Sequence, residues 1–273
     1  MTPSVIERLK LRAAQWNVAL VESRETEGSL LGFGTCNGDR VVLKITKTIG
    51  DEWHSGEVLR AFRGAGTVRV LESAEGAVLL ERLDPATELV ELVRAGRDEE
   101  ATAVLAELLS SMAHHDAPAR CPTVTDWGLG FDRYVNNGEI PAELVHQAAE
   151  IYGRLAASQK QVMLLHGDLH HYNALFDANR GWVAIDPKGV VGELEYELGA
   201  MIRNPVELPE FYISRTVVER RLKQLTGALS LDYDRALGWA FAQAVLSAIW
   251  GVEDGFTVTP THPQLRLAKL ISP

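Results

Sequence analysis

Cysteine is nearly absent. Cys36 and Cys121 are the two in 273 residues, and they show no paired spacing, so neither a disulfide framework nor a thiolate zinc site is readable. That usage is expected of a protein kept in a reducing cytoplasm. Positive charge is also scarce: 27 Lys and Arg face 37 Asp and Glu, a formal net charge of −10. A nucleic-acid partner would need a basic face, so the balance argues against one and is compatible with a small cationic substrate. No uncharged apolar run reaches membrane-spanning length, and MTPSVIERLKLRAAQWN lacks the apolar core of a signal peptide. A soluble intracellular chain is expected, with no membrane partner. There is no G-x-S-x-G elbow, which removes the usual serine hydrolase arrangement.

What remains is ample material for a core. Hydrophobic residues make up 46% and charged residues 23%, so one large domain or two lobes around a cleft is expected. The first third reads as β-rich, with strand candidates at 16–22, 30–36, 40–46, 67–72 and 77–81. Asn37-Gly38 tolerates positive φ and marks a tight hairpin between the second and third. A helix is expected over DEWHSGEVLRAF. After Asp84-Pro85 the apolar period becomes helical, at 98–113, from Pro141, and around 237–249. Short strands are expected at 162–165, 174–176 and 182–185. The resulting class is α+β, with a small antiparallel β-rich lobe over 1–84 and a mostly helical lobe over 85–273.

Chemistry concentrates in LLHGDLHHYNALFDANRGWVAIDPKG, residues 164–189. Asp168 and Asn173 lie five apart in a loop, and Asp186 follows at the end of a predicted hairpin, which returns its ends to one place. One carboxylate and one amide, Asp186 and Asn173, suit Mg²⁺, a hard cation that binds together with substrate phosphates. Asp168 is then free to orient and deprotonate an attacking hydroxyl, the division of labour of kinase phosphoryl transfer. That chemistry further requires a lysine in the third strand and a glutamate on the next helix. Lys44 in VVLK and Glu57, thirteen residues on, fit those places as the lysine that holds the ATP phosphates and its ion-pair partner. The loop RETEGS has one glycine, so only the backbone near Gly28 and Ser29 is offered to phosphate. Backbone groups from Glu81 to Leu83, in LLERLDP, are placed to pair with an adenine edge. Each of these residues taken alone has an ordinary loop or surface explanation; the joint spacing carries the reading. A zinc site from His166, His170 and His171, or from His114, His115 and Asp116, matches no usual ligand spacing.

VVLK, the helix glutamate, LLERLDP, HGDLHHYNAL and AIDPKG together resemble the aminoglycoside phosphotransferase family, whose fold is the bilobal protein-kinase-like one. HGDLHHYNAL, IDPKG and YELGAMIRNP are most similar to its streptomycin 6-kinase branch, the aminoglycoside/hydroxyurea antibiotic resistance kinases. The resemblance runs from about residue 16 to 255 and implies ATP-dependent O-phosphorylation with Mg²⁺. It implies Asp168 as catalytic base, Asn173 and Asp186 as metal ligands, Lys44 and Glu57 as the phosphate-binding pair, and His166 as a structural loop residue. IDPKG in place of DFG, without an APE-ended activation loop, argues against regulated protein phosphorylation. Streptomycin carries two guanidinium groups, which carboxylates bind bidentately. The expected acceptor contacts are therefore Glu193, Glu195, Glu197, Glu253 and Asp254, with Trp250 stacking on a planar cation. Two other readings stay open at this point, a kinase for another sugar or metabolite and an ATP-binding pseudokinase without turnover.

Overall fold

Ser4 accepts a hydrogen bond from the Glu7 amide and donates its own N–H to the Glu7 carboxylate, a capping box that starts α1 (Val5–Gln15). The computed structural model describes residues 3–273 apart from His114 and the side chain of Asp51. The helix ends at Trp16, and Asn17 takes the left-handed conformation at φ 54°. The first strand therefore starts only at Ala19, so β1 (Ala19–Glu25) lies three residues beyond the expected 16–22. β2 (Ser29–Cys36) and β3 (Asp39–Thr46) follow, joined at Asn37 and Gly38, both with positive φ. With β4 (Val70–Ala74) and β5 (Ala77–Glu81) they form an antiparallel sheet in the order β1-β2-β3-β5-β4. A short 3-10 helix (Asp51–His54) leads into α2 (Ser55–Phe62). Arg8 of α1 donates to the Thr46 and Gly76 carbonyls and stacks on Trp53, tying α1 to both sheet and helix.

One departure has a functional cause. The strand expected from residue 67 begins at Val70, because Thr67 and Val68 leave the sheet and pair with Ala184 in the other lobe. Leu59, Val68, Val78, Leu80, Leu83 and Val183 form one buried cluster across that junction. Arg180 reinforces it by pairing with Glu81 and donating to the carbonyls of Gly64 and Thr67.

The second lobe opens with β6 (Pro85–Glu88), α3 (Val90–Arg94), α4 (Asp98–Met112), α5 (Val124–Arg133) and α6 (Ala142–Ala157). Then come β7 (Met163–Leu165), β8 (Ala174–Asp177), β9 (Gly181–Ala184) and β10 (Val190–Gly192). It closes with α7 (Leu194–Ile202), α8 (Pro209–Tyr212), α9 (Arg215–Leu229), α10 (Tyr233–Glu253) and α11 (Pro263–Ile271). β8 sits between β6 and β9, and β10 pairs with β7. α10 is long and apolar enough to cross a bilayer by length and composition alone. Here it is the central helix of the core, with Trp239, Phe241, Val245 and Ile249 fully enclosed.

Arg221 holds the helices around the second lobe's loops. It is fully buried and donates to both Asp98 oxygens at 3.0 and 2.6 Å and to the carbonyls of Met201 and Asn204 at 3.0 and 2.6 Å. Removing it leaves the buried Asp98 carboxylate with Arg220 as its remaining cation and strands two buried carbonyls. Arg221→Ala should lose about 3–5 kcal/mol of unfolding free energy in urea titration; a loss below about 1 kcal/mol would mean the cluster is not a structural anchor.

Candidate active site

Two loops meet beneath the sheet. The first, 166–173, links β7 to β8; the second, 186–189, links β9 to β10. β8 and β9 form a hairpin with Ala174 opposite Ala184, and Ile185 donates its N–H to the Asn173 carbonyl at 2.9 Å. Asn173 and Asp186 are thereby brought together. His166 fastens the loops: its Nε2 lies 2.8 Å from the Ile185 carbonyl, and its own carbonyl accepts from the amides of Lys188 and Gly189 at 3.0 Å. Burial pushes the His166 pKa down, which keeps the ring neutral in this linking role. Gly167 and Gly189 have φ of +82° and +78°, where a side chain would strike Trp127 or Val58.

Glu197 supports the first loop from below. Its two oxygens accept from the amides of Gly167 and Leu169 at 2.9 and 3.1 Å. The side chain is buried, and that burial raises its pKa. It therefore belongs to the loop and not to the acceptor set.

Asp168 lies at the focus. Burial alone would raise its pKa, but His170, Lys188, Arg203 and His166 overcome it and hold the carboxyl well below the usual range. Lys188 Nζ is 3.5 Å from Oδ2, and Arg203 Nη2 is 3.5 Å from Oδ1. The carboxylate thus stays ionised at neutral pH, with Oδ1 accepting a long hydrogen bond from Arg203 and Oδ2 facing the Lys188 ammonium, both at 3.5 Å.

Lys44 is buried in β3 and its ammonium contacts Glu52 at 2.7 Å and Asp186 at 2.9 Å. Burial would lower its pKa; Asp186 and Glu52 reverse that and raise it. The lysine partner is therefore Glu52, in the 3-10 helix, and not Glu57. Glu57 lies within α2 and faces His54 at 3.6 Å and Arg120 at 3.9 Å. An α-helix was expected to start at Asp51; because the first four residues are 3-10, the glutamate that returns to β3 comes from that tighter turn. Asp186 has φ 56°, an uncommon conformation for a residue with a side chain, and its carboxylate meets Lys44 from that geometry.

The Mg²⁺ expectation can be tested on the oxygens left over. Asn173 donates its amide Nδ2 to the Asp168 carbonyl at 2.9 Å, which leaves Oδ1 for another partner. Lys44 occupies Asp186 Oδ1. Among the described residues no donor meets Asn173 Oδ1 or Asp186 Oδ2. One amide and one carboxylate oxygen on adjacent loops fit a hard cation that retains water and phosphate ligands. The zinc alternative has no metal-binding group behind it among the described residues. His171 is enclosed beside Arg221 at 3.3 Å, His166 is taken up as above, and His114 lies outside the described residues.

The backbone groups expected to face a nucleotide differ in what they leave free. The Ser29 amide is already bonded to Thr26 Oγ1 at 3.1 Å, so it is not offered to phosphate. Lys47 braces the same turn by donating its amide to the Gly28 carbonyl at 2.9 Å. The Gly28 N–H makes no hydrogen bond among the described residues. Glu81 is committed: its amide donates to Arg69 and its side chain pairs with Arg180. The Leu83 N–H and carbonyl are unbonded among the described residues.

Beside Asp168 opens a cleft of about 650 Å³ whose lining includes Trp127, Lys188, Arg203, Trp250, Asp254 and Phe256. Asp126 and Glu253 also line it, so Trp250, Glu253 and Asp254 share one cleft with Asp168. Glu193 and Glu195 are not. Glu193 is fully buried and accepts from Arg235 at 3.0 Å and from the Trp239 indole at 2.6 Å. Glu195 points to the amide of Asp232 at 3.4 Å, before α10. Glu193 turns inward because α7 packs along α10, while Glu195 stays partly exposed against the start of α10. Sequence reasoning also passed over Glu52, Asp126, Trp127, Lys188 and Arg203. Lys188 and Arg203 stood inside quoted motifs, IDPKG and MIRNP, but lone cations carry little signal in one sequence.

A profile of the aminoglycoside/hydroxyurea antibiotic resistance kinases matches residues 15–255. The chain belongs to that kinase family. Its similarity extends to a streptomycin 3''-kinase of Klebsiella pneumoniae, 31% identical across 80% of this chain and 82% of the relative. A streptomycin 6-kinase of Streptomyces griseus is 33% identical over 81% and 74%. A hydroxyurea phosphotransferase of Kitasatospora aureofaciens is 34% identical over 82% and 66%. Among solved structures, the aminoglycoside phosphotransferase APH(4)-Ia superposes with a TM-score of 0.69 at 16% identity, covering 98% of this chain and 97% of the other. A choline kinase of Streptococcus pneumoniae gives 0.67 at 14% identity, covering 98% and 99%. The fold is thus the bilobal protein-kinase-like one, and the enzyme is a small-molecule kinase.

The Lys44 geometry makes a direct comparison possible. Glu52→Gln should lower kcat/KM for the nucleotide by roughly tenfold or more, since it strips a buried ammonium of one close anion. Glu57→Gln should change it less than about twofold, as expected of an exposed pair. The reverse order in steady-state kinetics would restore Glu57 as the partner.

Proposed function

We propose that this kinase transfers the γ-phosphoryl group of ATP to a hydroxyl of a small cationic polyol, with streptomycin as the leading acceptor. The nucleotide lobe is 1–84 and the acceptor lobe 85–273. The observation that carries the reading is the meeting of three features at one point. They are a buried lysine paired with Asp186, two unpaired oxygens of Asn173 and Asp186, and an ionised Asp168 at the floor of the acceptor cleft.

In this reading Lys44 holds the α- and β-phosphates, and the Leu83 backbone pairs with the adenine edge. Asn173 and Asp186 hold Mg²⁺, which supplies charge neutralisation for the phosphates when bound. Asp168 accepts a hydrogen bond from the acceptor hydroxyl, aligns it and takes its proton as the bond to phosphorus forms. Fixed geometry and fixed charge supply most of the acceleration. On the rim, Asp126, Glu253 and Asp254 attract cationic groups, while Trp127, Trp250 and Phe256 give planar surfaces for a guanidinium and for sugar faces. The two cysteines are free, in keeping with a cytoplasmic location where ATP is present.

The test is an ATP-consumption screen against streptomycin, other aminoglycosides, simple sugars and hydroxyurea. Streptomycin should stimulate ADP release most. Asp168→Ala should keep nucleotide affinity and lose about 10²–10⁴-fold in kcat. Stimulation only by an uncharged sugar would redirect the acceptor class, and nucleotide binding with no turnover on any acceptor would favour a pseudokinase.

A further inference from the structure

We infer that Lys188 is a further catalytic residue, whose ammonium contacts the γ-phosphoryl group during transfer. The inference rests on the reading of the cleft as an ATP site.

Three observations carry it. The first is position. Lys188 lies two residues after Asp186, on the loop that joins the metal-side carboxylate to the floor beneath Asp168. A hydroxyl bound to Asp168 must have the phosphorus on its far side, so the phosphoryl oxygens pass within reach of this loop.

The second is freedom of the head on a fixed backbone. The amides of Lys188 and Gly189 both donate to the His166 carbonyl at 3.0 Å, so the stem is anchored. The ammonium lies 3.5 Å from Asp168 Oδ2 with the side chain 30% exposed. A charge-assisted hydrogen bond would measure about 2.7–2.9 Å, so the contact is loose and the head can turn to a better anion. Arg203, the cation on the other Asp168 oxygen, is less free. Its Nη1 donates to the buried Gln243 at 3.0 Å, and its side chain is 11% exposed.

The third is charge. Asp168 and Asp186 both face the path of an anionic triphosphate, and two carboxylates repel it. Lys44 offsets Asp186, and Arg203 stays with Asp168. Lys188 is the cation left to meet the transferring oxygens, where charge stabilisation counts most.

The alternative is that Lys188 only positions Asp168, and nucleotide binding separates the two. In calorimetric titrations with Mg²⁺ and no acceptor, Lys188→Met should bind ADP within about twofold of wild type but a non-hydrolysable ATP analogue roughly tenfold more weakly. Its kcat should fall on the order of 10²-fold, with Lys188→Arg recovering part of both losses. An unchanged ratio of analogue to ADP affinity, or kcat near wild type, would overturn the inference. A wild-type protein that binds neither nucleotide would overturn it together with the reading of the cleft.

Discussion

The site depends on a single ammonium. Lys44 is an inward-facing residue set among Val41, Val42, Leu43 and Ile45 of β3, and its side chain is 5% exposed. A lysine so placed is costly by several kcal/mol unless anions meet it. Glu52 meets it from the 3-10 helix and Asp186 from the other lobe, at 2.7 and 2.9 Å. The requirement to satisfy that charge therefore fixes three elements at once: the sheet, the turn before α2, and the loop after β9. Asp186 reaches the ammonium from a left-handed backbone conformation at φ 56°, and such outliers persist only where surrounding contacts determine them. In the proposed function, the phosphates would meet a cation whose position is already set by these pairs.

The second lobe uses buried polar groups in the same way. His166 joins the two loops through backbone carbonyls and amides, Glu197 bonds the Gly167 and Leu169 amides, and Arg221 collects Asp98 with two carbonyls. These groups fasten the loops through hydrogen bonds to backbone atoms and, for Arg221, to Asp98. Asp168 differs from them in that its side-chain oxygens contact cations only loosely, which keeps it charged yet available. Glu197 and Glu193 are buried carboxylates with both oxygens or the whole side chain taken up by close donors; the oxygens of Asp168 meet only longer contacts.

That distinction explains what could be read from the chain. The meeting of Asn173 with Asp186 was legible because a hairpin must return its ends together, and Lys44 because phosphoryl-transfer chemistry asks for a lysine in the third strand. Asn37-Gly38 announced its turn for the same local reason. Glu57 misled because helical spacing says nothing of a preceding 3-10 turn, which rotates a different glutamate toward β3. Glu193 and Glu195 misled because their direction is set by α7 packing on α10, a contact between residues some 40 apart. The shift of β4 to Val70 came from pairing with Ala184, equally remote in sequence. Residues whose role depends on local chain geometry could be read; those placed by tertiary packing could not.

The account rests on Lys44 as the common partner of Asp186 and the nucleotide phosphates. The most direct measurement is ATP turnover by Lys44→Met with a stimulating acceptor, alongside circular dichroism to follow the fold. The account predicts a native spectrum with kcat/KM for ATP reduced on the order of 10²-fold or more. A folded variant that turns over ATP at near wild-type efficiency would contradict it.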